Sequence, residues 1–234
     1  IAVSGALAAE YAERDWRMPR PSIIPNGVDS AFFTPGPAMS REPGRLLFAG
    51  RLTSQKGVDL AIRALAALVP TLPELRLIVA GAGPWEQAYR NLARRLGCMD
   101  RVRWLGWLEP EALRDQYRRC TALLMPSRYE PFGLSALEAM ACGATVVAST
   151  AGGLPEFVED NVTGRLVPPS DPAALAEAVG AMVRDPVGAD RLGAAASEAA
   201  RKLTWARAAE ATLRVYERLN YGSLRPLPAS QSVL

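Results

Sequence analysis

Ala122-Leu123-Leu124-Met125-Pro126-Ser127-Arg128-Tyr129-Glu130-Pro131-Phe132-Gly133-Leu134-Ser135-Ala136-Leu137-Glu138 decides how the chain folds. Its first four residues are a short continuous apolar run, which reads as a buried strand. Pro126 closes the run because proline has no N–H to give to a ladder. Leu134 to Cys142, rich in Ala, Leu, Glu and Met, reads as a helix that opens at Gly133. Glu130 therefore falls in a strand-to-helix loop, and Glu138 falls inside the helix. In an open α/β sheet, ligands bind outside the carboxyl ends of the strands, where such loops lie. Two glutamates alone are ordinarily surface residues. Here a Pro-Phe-Gly kink separates them, a helix N-terminus adjoins Glu130, and Gly152-Gly153-Leu154-Pro155-Glu156 follows the next apolar run.

The same alternation extends on both sides. Leu46–Ala49, Leu75–Ala80, Val102–Leu105, Thr145–Ala148 and Gly164–Val167 read as further strands. Helical patterns cover about Val58–Val69, Trp85–Leu96 and Glu111–Arg119, with a short one at Glu156–Glu159. Strands alternating with helices of this length predict βαβ units, here an α/β fold with a Rossmann-like six-stranded parallel sheet flanked by helices. A helical bundle is the competing reading, because Ala and Leu are abundant; the short apolar runs bounded by Gly and Pro oppose it. Asp171-Pro172 supplies an N-cap and a first-turn proline for a helix to about Arg184. Two more follow, over about Val187–Lys202 and from Thr204-Trp205 to Leu219. Ahead of the regular region, Ile1–Ser4 reads as a strand end, and a helix covers about Gly5–Trp16. Pro25-Asn26-Gly27 is a strong turn signal. The stretch from Asn220 to Leu234 has little to bury and is expected to be disordered.

Composition narrows the function. The 234 residues carry 27 basic and 24 acidic side chains, a net charge of +3 that gives no footing for nucleic-acid binding. The complete lack of histidine excludes a histidine base, a histidine metal site or a Ser-His-Asp triad within these residues. Cys98, Cys120 and Cys142 lack metal-ligand spacing and fit small buried thiols in a reducing, cytoplasmic setting. No apolar run approaches the roughly 18 residues that a membrane span needs. Gly50-Arg51-Leu52-Thr53-Ser54-Gln55-Lys56-Gly57 joins the first strand to its helix and places two cations by a helix N-terminus, an anion site in principle. Gly81-Ala82-Gly83-Pro84 lacks the third glycine of a dinucleotide fingerprint and reads as a tight turn. Gly152 and Gly153 are expected to let backbone N–H groups approach a ligand, and Arg128 is a candidate for phosphate or acceptor contact.

The form E-P-F-G-L-x-x-L-E, with seven residues between Glu130 and Glu138, resembles the donor-site motif of retaining glycosyltransferases of the family-4 type, which have the two-domain GT-B fold. The I-P-N-G-V-D stretch at residues 24–29 is similar to the linker between the two domains of that family. The resemblance runs from about Ser22 to Leu219 and implies the C-terminal, donor-binding domain. It divides the chain into residues 1–28, the end of an absent N-terminal acceptor domain plus linker; 29–203, the donor-binding domain; and 204–234, a C-terminal crossover helix with a flexible tail. By the same resemblance, Glu130 contacts the donor sugar, and Glu138 accepts hydrogen bonds from the ribose hydroxyls. Arg51 and Lys56 meet the diphosphate. The backbone of Phe132, Gly133 and Leu134 faces the sugar or diphosphate. Gly106 and Trp107 hold the base, and Glu156 lies near the donor. The implied reaction moves a hexose-type sugar from a UDP-, GDP- or ADP-sugar to an acceptor hydroxyl with retention, with no cofactor and no metal beyond that co-substrate.

The implied partners are the N-terminal domain, an acceptor, and a membrane surface reached through the absent domain. The family's glycine-rich acceptor loop and active-site histidine belong to that domain, so the chain alone is expected to be inactive. Trp205, Ala208, Ala209, Leu213 and Tyr216 form an apolar stripe on the last helix, which rests on the first domain in that family. With that partner absent, self-association or a mobile last helix is expected. Two rival readings remain. One is an epimerase or phosphorylase of the same architecture, although no pyridoxal-lysine motif is visible. The other is a non-catalytic nucleotide-sugar-binding module.

Overall fold

A computed structural model describes residues 1–14, 19–36 and 41–219; the expected tail from Asn220 and the expected helix end at Trp16 lie outside the described residues. The strands are β1 (Arg45–Ala49), β2 (Arg76–Ala80), β3 (Val102–Gly106), β4 (Ala122–Met125), β5 (Thr145–Ser149) and β6 (Arg165–Val167). The helices are α1 (Gly5–Arg14), α2 (Val58–Leu68), α3 (Glu86–Arg95), α4 (Pro110–Arg119), α5 (Leu134–Ala141), α6 (Pro172–Arg184), α7 (Pro186–Ala200) and α8 (Trp205–Arg218). All six strands pair in parallel, in the order β3-β2-β1-β4-β5-β6.

The sheet is covered on both faces, which is why its central strands are continuous apolar runs rather than alternating ones. Successive side chains on a strand point to opposite faces. Leu46, Phe48, Leu77 and Val79 pack with α2, α3 and α6, whereas Leu47, Ala49, Ile78 and Leu123 pack with α4, α5 and α7. Helix starts follow local chemistry. Asp171 accepts from the N–H groups of Ala173 and Ala174 ahead of α6, and Asp185 accepts from Gly188 ahead of α7. The short helix expected at Glu156–Glu159 is instead a 3₁₀ turn at Leu154–Glu156. Pro155 needs no N–H partner in a first turn, so the turn begins around it. Cys98, Cys120 and Cys142 are free and buried. Among the described residues no helix is long and apolar enough to cross a membrane.

The strand order turns outward in opposite directions from β1 and β4. The loops that leave these two neighbouring strands diverge and open a crevice at their carboxyl ends. Glycines hold the crevice loops together. Gly57 (φ 72°) lies so close to the β4 loop that a Cβ would stand 2.1 Å from the Pro126 carbonyl oxygen, and one on Gly152 (φ 58°) would stand 2.0 Å from that of Glu130. The N–H of Gly153 also donates to the Glu130 carbonyl at 3.0 Å. Gly152 and Gly153 thus let the loop after β5 close on the Glu130 loop, and neither lines the crevice cavity.

Described residues of the N-terminal segment and of the start of α8 come together. Ala2 bridges Ile23, and Val28 bridges Thr204, so residues near the two expected domain boundaries meet in space. Helix α8 has no buried residue: Trp205, Leu213 and Tyr216 are each about half exposed along a groove that also includes Ile24 and Pro25.

The glycine geometry yields a stability test. Gly152→Ala must both adopt a left-handed backbone and push the Glu130 carbonyl away, at a cost of about 1–3 kcal/mol or more. Gly97 is also left-handed (φ 68°), but a Cβ there meets nothing within 4 Å. Gly97→Ala is therefore expected to cost only the backbone strain, about 1–2 kcal/mol. Urea unfolding of the two variants checks this; equal losses would refute the close approach at Gly152.

Candidate active site at the β1–β4 crevice

The crevice contains a cavity of about 730 Å³, within the range of small-ligand sites. Arg51 and Lys56 reach it from the loop after β1, Glu130 from the loop after β4, and Glu138 from α5. Leu113 of α4 and Asn26 of the N-terminal segment complete parts of its wall.

Glu130 is 5% exposed, and its carboxylate is already engaged on one side. Its Oε2 accepts from Lys56 Nζ at 2.6 Å and from Ser127 Oγ at 3.2 Å. The Ser127 carbonyl in turn accepts from Ser149 Oγ at 2.6 Å. Among the described residues no donor reaches Glu130 Oε1. Glu138 repeats the arrangement: Tyr117 donates its hydroxyl to Oε2 at 2.9 Å, and Oε1 has no protein donor among the described residues. Each glutamate is thus anchored through one oxygen and has acceptor capacity left on the other, since a carboxylate has acceptor sites on both. Burial raises the Glu138 pKa above the ordinary 4.5, and the Tyr117 hydroxyl opposes that shift. Tyr117 is fully buried, and both burial and the neighbouring Glu138 push its own pKa well above 10, so it stays a donor.

The loop residues between the glutamates divide their roles. The Phe132 ring is buried and stacked on Phe157 at 5.0 Å, so only its backbone can face the cavity. Gly133 (φ 110°) begins α5 with no side-chain cap, where Gly133, Leu134 and Ser135 line the cavity. The first N–H groups of that helix therefore have the positive dipole end and no capping oxygen. Lys56 is held by Glu130, whereas Arg51 is exposed at the mouth. The Trp107 indole is 72% exposed and lines the cavity, so it is not a core residue. Gly106 turns the chain at the end of β3 (φ 69°), and its carbonyl accepts from Gly81 N–H at 2.6 Å. It is Trp107, and not Gly106, that lines the cavity.

Two candidates lie elsewhere. Both carboxylate oxygens of Glu156 accept from the start of α1, from Gly5 N–H and Ala6 N–H at 3.0 Å each. A carboxylate at a helix N-terminus is favourable there, and it leaves Glu156 outside the cavity wall. Arg128 pairs with both oxygens of Asp59 and with the Ser54 carbonyl, so its guanidinium is committed to the first turn of α2 and the loop before it. Tyr117 and Ser4 are parts of the arrangement that motif reading does not reveal, and Ser127, expected to line the motif loop, bonds to Glu130. Ser4 accepts from Leu7 N–H and donates to the Pro131 carbonyl at 2.6 Å, which seats α1 on the motif loop. Among the described residues no group of three His, Cys, Asp or Glu side chains is placed to hold a metal ion.

Residues 36–203 match the family described as glycosyl transferases group 1. A D-inositol 3-phosphate glycosyltransferase of Kribbella flavida is 39% identical over 211 residues, which covers 83% of this chain and 50% of that protein. A glycogen synthase of Mycobacterium tuberculosis is 38% identical over 212 residues, 88% of this chain and 50% of that protein. The chain thus spans about half the length of these curated relatives. Among solved structures, Anabaena HepE in complex with UDP and glucose superposes with a TM-score of 0.81 at 26% identity, over 94% of this chain and 62% of that one. With its six-stranded Rossmann-like sheet, its crevice between β1 and β4 and a family match across residues 36–203, the chain belongs to the group 1 glycosyl transferases of GT-B architecture.

Proposed function

We propose that this chain is the nucleotide-sugar-binding part of a retaining glycosyltransferase that moves a hexose-type sugar to an acceptor hydroxyl. The observation that carries the reading is the pair of glutamates in one cavity, each tied through Oε2 and open at Oε1. The UDP and glucose bound by Anabaena HepE make a nucleoside diphosphate sugar the ligand to test first.

In this reading Glu138 Oε1 accepts from a ribose hydroxyl, with Tyr117 as the positioning residue that holds the other oxygen. Glu130 Oε1 accepts from a sugar hydroxyl. The Lys56 ammonium has three N–H donors and spends one on Glu130, so it keeps donors for the diphosphate. Arg51 and the uncapped start of α5 add positive potential on the same side. In the transfer, the bond from the anomeric carbon to the diphosphate oxygen breaks, and the acceptor oxygen bonds to that carbon on the same face. The departing diphosphate takes the acceptor's proton. The negative charge that grows on the diphosphate is what Lys56, Arg51 and the helix start stabilise. The acceptor is assigned to a further domain, consistent with relatives twice as long as the matched region. Residues 1–28 and 204–219 are read as the linker and crossover to it.

Calorimetry with UDP-, GDP- and ADP-glucose tests the reading: one of them is expected to bind saturably, and no binding of any would overturn it. Glu138→Ala is expected to weaken nucleotide binding by about 1–3 kcal/mol, because the ribose diol loses its acceptor. An affinity within twofold of the wild type would reject the ribose assignment.

Arg51→Ala and Lys56→Ala should each reduce affinity for the nucleoside diphosphate more than for the bare nucleoside. Equal losses for both ligands would remove the phosphate role.

The raised Glu138 pKa sets a pH dependence. Below that pKa the carboxyl is neutral and a poorer acceptor, so nucleoside affinity should fall as pH drops through a midpoint above 4.5. Tyr117→Phe removes the hydroxyl that stabilises the ionised form, so the midpoint should move to higher pH. Glu138→Gln should abolish this acid limb. A pH profile identical in wild type and Glu138→Gln would contradict the assignment.

A further inference from the structure

A second charged cavity, of about 400 Å³, lies at the opposite edge of the sheet, by the amino ends of β1, β2 and β3. Arg45 pairs in register with Arg76, and Ile78, two residues further along β2, pairs with Arg103. Residues two apart on a strand share a face, so the three arginines form a row across three adjacent strands, on the α4 side of the sheet. Arg119 at the end of α4 and Arg101 ahead of β3 join the row at the cavity. Like charges on neighbouring strands repel and cost stability unless something compensates them. Part of the compensation is internal, since Arg45 also donates to Gln116 Oε1 at the end of α4.

Two carboxylates face these five guanidiniums. Glu42 takes three of them: Arg45 at 3.0 Å and Arg76 at 2.8 Å on Oε2, and Arg119 on Oε1. Asp100 pairs with Arg101 at 3.1 Å. Arg103 has no ion pair among the described residues. Arg45 is 6% exposed, and its Nε is buried without any hydrogen-bond partner. An orphaned guanidinium N–H in a buried position is costly unless something completes it. Burial lowers the Arg45 pKa, Glu42 opposes this, and the nearby Arg119 and Arg76 add to it. Five arginines against Glu42 and Asp100 leave the lining with an excess of positive charge.

We propose that this arginine row is a second ligand site that binds a multiply charged phosphate or diphosphate oxyanion. Guanidinium forks match such oxyanions with paired N–H donors, and the concave basic wall excludes neutral sugars that carry no phosphate. The site is separate from the crevice, because β1 alone puts roughly 13 Å between its amino and carboxyl ends. The anion is either a free inorganic one or the phosphate group of an esterified sugar.

The test uses the whole chain carrying Arg51→Ala, which weakens phosphate binding at the crevice. Inorganic phosphate, pyrophosphate and glucose 1-phosphate are titrated by calorimetry at constant ionic strength, with chloride as the control salt. Saturable binding is expected for at least one of them. Adding Arg103→Ala or Arg76→Ala should weaken it by about tenfold or more, the loss expected of a charge-assisted hydrogen bond. Arg103 is exposed at an outer strand, so its removal should leave thermal unfolding unchanged. Tighter binding of the sugar ester than of inorganic phosphate identifies an esterified ligand, and the reverse identifies a free anion; either supports the site. Absence of saturable binding, displacement by chloride, or affinity unchanged by both arginine substitutions would overturn the proposal.

Discussion

The ion pair between Lys56 and Glu130 is the contact on which the crevice depends. It spans the two loops that diverge from β1 and β4 and joins them at 2.6 Å, with both side chains largely withdrawn from solvent. A buried pair of this kind adds little net stability, but removal of one partner strands a charge and is costly. Its value lies in geometry. The β1 and β4 loops approach closely because Gly57 offers no Cβ to the Pro126 carbonyl, and the loop after β5 closes on Glu130 because Gly152 offers none to its carbonyl. The carboxylate is fixed by Lys56 and Ser127, and the Glu130 backbone is held by the bond from the Gly153 N–H to its carbonyl. A site preorganised in this way does not have to reorganise as charge develops on a bound diphosphate.

The same economy recurs at Glu138. Tyr117 occupies one carboxylate oxygen from the neighbouring helix, and burial raises the pKa, so the group is tuned as well as aimed. Positive charge for a diphosphate then comes from three sources of different kinds: an exposed arginine, a lysine shared with a glutamate, and the uncapped start of α5. The N-terminal segment belongs to this assembly, since Ser4 bonds to the Pro131 carbonyl and Glu156 caps α1.

Much of this was legible in the amino-acid order. Short apolar runs between helical patterns gave the parallel sheet, because strands covered on both faces cannot alternate polar and apolar residues. Glu130, Glu138, Arg51 and Lys56 could be singled out through the resemblance of E-P-F-G-L-x-x-L-E and the Gly50–Gly57 loop to the family's donor site, with three of the four in loops at strand ends and Glu138 within α5. Glu156 was legible as a glutamate near the site but not in its bonding. Its partners, Gly5 and Ala6, are about 150 residues away, and only tertiary folding brings that helix start to it. Tyr117 looks like one more core aromatic in the α4 pattern; that its hydroxyl meets Glu138 depends on how α4 packs beside α5. The arginine row was invisible for a related reason. Arg45, Arg76 and Arg103 are scattered along the chain and become neighbours only through strand register.

The most direct test of the account is a crystal structure of the chain with a bound nucleoside diphosphate sugar. The account predicts ribose hydroxyls within hydrogen-bond distance of Glu138 Oε1, a sugar hydroxyl at Glu130 Oε1, and the diphosphate between Lys56 and the start of α5. A ligand seated outside the β1–β4 crevice, or one whose ribose avoids Glu138 while the phosphates lie away from Lys56, would contradict it.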